Sequence, residues 1–149
     1  MIAIESLSKS YRSAPVVRGV SLTYAPGTIT GFLGPNGAEK STTMRMITGL
    51  TRPDSGTALV NGSRYVNLPN PARMVGALLD ASAMHVGRSG RATLQIAACV
   101  CGVPKSKVED ILHLVGLADR AGEQRVGTYS LGMRQRLGIA QAPSEHPRS

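Results

Sequence analysis

The sequence predicts an α/β fold, on three observations. The first third is rich in β-branched residues at alternating positions. An apolar strand then runs into a glycine-rich junction that opens a helix. The second half shows helical periodicity closed by glycine and proline.

The elements follow in order. Ile2 and Ile4 alternate with smaller residues and predict a strand. Val16, Val17, Val20 and Leu22 predict a second, ended by Pro26-Gly27. Residues 28–33 are short, apolar and uncharged and predict a third. A helix is expected from about Lys40, with Met44, Ile47 and Leu50 on one face. Pro53-Asp54-Ser55-Gly56 reads as a turn, residues 57–60 as a strand, and Asn61-Gly62 as another turn.

Beyond the Pro/Asn-rich residues 68–71 comes the apolar stretch 74–79. Leu94, Ala97, Ala98 and Cys101 then line one face of a helix stopped by Gly102 and Pro104. Ser106 and Glu109 have capping-box spacing ahead of Val108, Ile111, Leu112 and Val115, with Gly116 as the stop. A last amphipathic helix begins near Leu131, with Met133, Leu137 and Ala140 inward. Residues 1–142 are expected to form one domain and 143–149 a disordered polar tail.

Composition narrows the function. At 149 residues and 42% hydrophobic, the chain is long enough for one domain with a real core. Lys plus Arg number 17 against 9 acidic residues, a net charge of +8, yet the basic residues are scattered rather than clustered. Aromatics make up only 3%, which argues against a stacking platform for nucleic acid. Cys99 and Cys101 are too few for a disulfide framework or a four-cysteine zinc site, and read as small core residues of a reducing compartment. The opening Met1-Ile2-Ala3-Ile4-Glu5 lacks a basic head and apolar stretch, and no run is long enough to span a bilayer. The expected place is the cytoplasm, free or docked on a membrane partner.

The junction carries the chemistry. Residues 28–33 lead into Gly34-Pro35-Asn36-Gly37-Ala38-Glu39-Lys40-Ser41-Thr42. Backbone N–H groups of such a loop converge on phosphates, and the helix N-terminus adds partial positive charge. Lys40 is placed to reach the β- and γ-phosphates of a nucleotide, and Ser41 to coordinate Mg²⁺. Glu39 stands where the usual pattern has glycine. A side chain there crowds the backbone approach, and a positive φ would cost it roughly 1–2 kcal/mol. A carboxylate about 5 Å from a phosphate charge repels it by roughly 3 kcal/mol at an effective dielectric near 20. Glu39 is therefore expected to weaken ATP binding at least about tenfold, since about 1.4 kcal/mol is tenfold.

Residues 34–43 resemble the Walker A loop of ATP-binding-cassette proteins. Tyr129-Ser130-Leu131-Gly132-Met133-Arg134-Gln135-Arg136-Leu137 resembles their signature motif. The resemblance covers residues 2 to about 142, and the two motifs in this order are far more specific than either alone. It implies an α/β, partial P-loop NTPase fold of the ABC-ATPase type, with an antiparallel β subdomain and a helical subdomain. It also implies ATP and Mg²⁺ as ligands. Tyr11 matches the aromatic that stacks on adenine, and otherwise reads as a surface tyrosine. Asp80 matches the place of a glutamine that touches Mg²⁺ and the membrane partner, and equally reads as a solvated aspartate. Ser130 and Gly132 match residues that contact the γ-phosphate held by the other subunit. Ser130 also fits an ordinary helix N-cap. Leu131 replaces a glycine found in many members.

By the same resemblance, the expected function is an ATP-binding subunit that couples ATP binding and hydrolysis to export. Its partners are a separate transmembrane permease and a second nucleotide-binding domain, with no nucleic acid, at the inner face of the membrane. Family members continue past the signature helix with an apolar strand ending in Asp-Glu, which holds Mg²⁺ and polarises water. That strand is not found here, so the fold is expected to lack its C-terminal core, no catalytic residue is assigned, and activity is expected to be defective. The alternative is a non-catalytic, truncated remnant without a transport role. His85, His113 and His146 are read as bystanders.

Overall fold

The computed structural model describes residues 1–33, 38–80 and 83–142, and the chain divides into two compact units, Met1–Pro69 and Asn70–Ser149.

The first unit is an antiparallel sheet with one helix. Strands β1 (Ile2–Tyr11) and β2 (Ala14–Tyr24) form a hairpin, and β3 (Ser55–Val60) pairs with the other edge of β1, giving the order β2-β1-β3. The hairpin turns at Arg12 and Ser13, both at positive φ, a backbone twist that suits a two-residue connection. Ser6, at φ 47, sits where the β1 register shifts against both neighbours. This irregularity resets the period-two alternation, so that Ile4 and Leu7 are both buried. Gly56 follows from close packing against the same place. At φ +80, a β-carbon on it would lie 2.4 Å from the Glu5 and Ser6 carbonyl oxygens.

Helix α1 (Ala38–Ile47) covers the sheet, and Met46 joins Ile4, Leu7 and Val17 in the core. The face expected from the sequence is corrected here. Met44 and Leu50 are exposed, while Thr42, Thr43 and Met46 are buried. Thr43 tolerates burial because its hydroxyl is satisfied locally, Oγ1 donating to the Glu39 carbonyl at 2.8 Å. Gly49, at φ +71, ends the helix, and the Leu50 amide reaches back to the Arg45 carbonyl at 2.8 Å, leaving Leu50 beyond the buried face.

The strand expected at residues 28–33 does not form. No ladder is made there, and Ile29 and Leu33 are 104% and 91% exposed. A strand needs partners for its amides and carbonyls, and no described strand of this unit pairs with the segment.

The second unit is helical: α2 (Pro71–Met74), α3 (Gly90–Cys101), α4 (Lys107–Leu114), α5 (Arg120–Glu123) and α6 (Leu131–Gln141). Its core gathers Leu94, Ala98, Val108, Leu112, Leu117, Val126, Tyr129 and Leu137. Met133 and Ala140 pack against it, as the periodicity of α6 predicts. Two expectations are corrected. Ser106 has helical φ and ψ and makes no side-chain cap, so the capping box is not built. Cys101 is buried as expected, but Cys99 is exposed, because positions two apart on a helix face different ways. Among the described residues, no helix is long and apolar enough to cross a membrane.

Candidate nucleotide site and signature helix

The glycine-rich loop leads into α1, whose first turn holds Ala38, Glu39 and Lys40. Gly34, Pro35, Asn36 and Gly37 lie outside the described residues. Of those that follow, Glu39 and Ser41 are exposed, Lys40 is half-buried, and Thr42 is buried against the unit's interior. Glu39 has helical backbone and is not among the positive-φ residues. The backbone-strain part of the expected penalty therefore falls away, and the charge remains. A carboxylate in the first turn suits the helix dipole of the free chain. The same partial positive charge is what an incoming phosphate would need.

Tyr11 ends β1 with its ring half-exposed. Lys9 lies two residues earlier on the same strand, its ammonium 5.6 Å from the Tyr11 ring centroid and 2.7 Å from Asp54 Oδ1. Asp54 Oδ2 also accepts from the Ser10 amide at 2.8 Å, and the Asp54 amide donates to the Ser8 carbonyl at 2.9 Å. The Lys9 hydrogen bond, seconded by the Ser10 amide, holds the Asp54 carboxyl below its usual range. This bracket ties the turn before β3 to the strand that ends in Tyr11.

In the second unit, Ser130 is the N-cap of α6. Its backbone is extended, and its hydroxyl accepts from the Met133 amide at 3.2 Å. Ser130 and Gly132 are both exposed. A β-carbon on Gly132 would find only the Ser130 hydroxyl, at 4.0 Å, so the first turn of α6 opens onto free space. Leu131 points into solvent.

Tyr129 fixes this turn from behind, a role the sequence did not reveal. Its side chain is buried, its hydroxyl donates to the Ala121 carbonyl, and its own carbonyl accepts from Arg134 Nε at 3.2 Å. Burial, then the charge of Glu123, raises the phenol above its usual value. Arg91 was missed as well. It ties three helices, reaching Glu109 on α4 through its guanidinium and Glu123 on α5 at 2.6 Å. The signal for both lies in tertiary contacts rather than in spacing.

Asp80 follows the segment 75–79, which packs on α6: a β-carbon on Gly138 would lie 2.6 Å from Leu78 Cδ1. Asp80 is exposed, and its carbonyl accepts from the Ala83 amide at 3.4 Å. Tyr11 and residues 38–42 thus belong to one unit, and Asp80, Ser130 and Gly132 to the other. Among the described residues, no group of three His, Cys, Asp or Glu side chains is placed to hold a metal.

A family model described as ABC transporter matches residues 17–148. The uncharacterized ABC transporter ATP-binding protein YhcH of Bacillus subtilis is 37% identical over 150 residues, covering 99% of this chain and 49% of the relative. The bacitracin transport ATP-binding protein BcrA of Bacillus licheniformis is 36% identical over 149 residues, covering 99% and 48%. The chain thus spans about half the length of these curated relatives. A solved ATP-binding cassette, a dimer in a post-hydrolysis state bound to ADP and phosphate, has the same fold with a TM-score of 0.80, at 18% identity, over 95% of this chain and 68% of that one. With the family model matched over residues 17–148, the chain belongs to the ABC transporter ATP-binding family.

Proposed function

We propose that the chain provides the nucleotide-binding half-site and the signature surface of an export transporter's ATP-binding subunit. Residues 1–142 act as one nucleotide-binding domain with a β and a helical subdomain. One observation supports the reading: Lys40 and Ser41 stand in the first turn of α1, directly after the glycine-rich residues 34–37 in the sequence. Main-chain amides and Lys40 would grip the triphosphate of ATP, and Ser41 would hold Mg²⁺, with Asp80 as an outer ligand. Tyr11, half-exposed at the end of β1, would stack on the adenine. Mg²⁺ would neutralise charge on the phosphates.

Ser130 and Gly132 would meet the γ-phosphate of ATP held by a second nucleotide-binding domain, so the working unit is a dimer. Their exposure and the open first turn of α6 support this reading. The similarity to a bacitracin transport protein supports an export role, with a separate membrane permease as partner and the membrane's inner face as the place of work.

Glu39 tempers this function. It is exposed, so water screens its charge. At about 5 Å the repulsion lies between roughly 0.8 kcal/mol in bulk water and roughly 3 kcal/mol at a dielectric of 20. A tenfold loss of affinity falls inside that range. The same residue favours the second reading, a remnant that does not turn over ATP. Titration of the purified chain with Mg-ATP decides between them. Saturable binding that is lost in Lys40→Ala supports the first reading, and no binding at any concentration supports the second.

A further inference from the structure

Tyr11 is the last residue of β1 and stands directly before Arg12 and Ser13, the positive-φ pair of the hairpin turn. Its ring is 46% exposed, so core packing does little to hold it in one orientation. Lys9 supplies a restraint. It lies two residues earlier in the strand, the spacing that shares a face, and its ammonium stands 5.6 Å from the ring centroid.

Lys9 is itself held. Its side chain is only 17% exposed, low for a residue that usually reaches into water. The ammonium donates to Asp54 Oδ1 at 2.7 Å. Asp54 is fixed in turn by backbone on both sides of Lys9. Its Oδ2 accepts from the Ser10 amide at 2.8 Å, and its own amide donates to the Ser8 carbonyl at 2.9 Å. An ion pair this near the surface adds little stability of its own. What the pair does is keep the ammonium against the Tyr11 ring.

A cation at one face of an aromatic ring is attracted by its π electrons and restrains the ring's motion. A ring oriented beforehand loses less freedom when a ligand stacks on it. We propose that Lys9, pinned by Asp54, is a positioning residue that holds the Tyr11 ring ready for a purine base. The proposal rests on the reading of Tyr11 as the adenine platform and adds to it the group that steadies the platform. The ammonium is committed to the carboxylate and the ring, so its effect falls on the base rather than on the phosphates.

The test compares Mg-ATP with magnesium inorganic triphosphate, which lacks a base. Both are titrated into the chain carrying Glu39→Gly, alone and with Lys9→Met, Lys9→Arg, Asp54→Asn or Tyr11→Ala. Lys9→Met should weaken Mg-ATP about three- to tenfold and leave inorganic triphosphate unchanged. Asp54→Asn should do the same to a smaller degree. Lys9→Arg keeps the cation and should bind like its parent. Added to Tyr11→Ala, Lys9→Met should cost nothing further, as expected of residues that act as a unit. A variant that merely folds less well loses both ligands alike, so the ratio between them separates positioning from stability. Equal loss of both ligands in Lys9→Met, loss of neither, or a full effect on top of Tyr11→Ala would overturn the proposal and leave the phosphate site standing. So would ATP binding that is lost in Lys40→Ala but indifferent to Tyr11→Ala. No binding of either ligand by any of these chains would overturn the reading of the site, and the proposal with it.

Discussion

Gly90 and Tyr129 are in direct steric contact: a β-carbon on Gly90 would lie 2.2 Å from the Tyr129 hydroxyl oxygen. The contact locks the start of α3 to the residue just before the α6 cap. Gly90→Ala should therefore overpack the helical unit and destabilise it by about 1–3 kcal/mol. Tyr129→Phe removes the oxygen that is struck. In the Gly90→Ala background it should cost less than it does alone, because the clash is relieved. Urea midpoints of the two single variants and the double variant measure that coupling. Strictly additive effects would contradict the packing described.

The Ser130 cap should be separable from any contact with nucleotide. Ser130→Ala removes the acceptor for the Met133 amide and should cost about 1 kcal/mol of stability. Ser130→Asp restores a capping oxygen and should recover most of it. If Ser130 also faces the γ-phosphate of a partner's ATP, as proposed, Ser130→Asp should fold normally yet fail to support nucleotide-driven dimerisation. Urea unfolding and sedimentation with Mg-ATP report the two properties independently.

Asp54 gives the first unit an acid sensitivity. Its folded-state pKa lies below the ordinary 3.8, so the folded state binds the proton less readily than the unfolded chain. Its contribution is fully present above 3.8 and is lost as pH falls through the folded value. Asp54→Asn should lower the neutral part of the stability profile slightly and flatten its fall on the acid side, where the two proteins converge. The contribution is small, since Asp54 is exposed and Lys9 is its partner at the surface. Urea midpoints across the acid range measure it.

Most of the architecture was readable from the chain. The hairpin strands, the helix after the glycine-rich loop and the inward face of α6 all follow from period and punctuation. The misreadings have physical causes. The Ser6 irregularity breaks the alternation of β1, and nothing in its composition announces it. The α1 face was assigned from Met44, Ile47 and Leu50, of which only Ile47 packs on the core, whereas Thr42, Thr43 and Met46 are the ones buried, Thr43 with its hydroxyl turned onto the helix backbone. Residues 28–33 have strand composition, but a strand is made by its neighbours. At the candidate site, motif spacing singled out Lys40 and Ser130. Tyr129 and Arg91, which hold the helices in place, depend on contacts between elements far apart in sequence.

The central claim is that ATP binds where the glycine-rich loop meets α1 and that Glu39 weakens its hold. The most direct measurement is calorimetric titration with Mg-ATP of the chain, of Glu39→Gly and of the Glu39→Gly, Lys40→Ala double variant. The account predicts affinity at least about tenfold higher in Glu39→Gly, equivalent to about 1.4 kcal/mol, and its loss in the double variant. Equal affinities for the chain and Glu39→Gly, or binding that survives loss of the lysine, would contradict it.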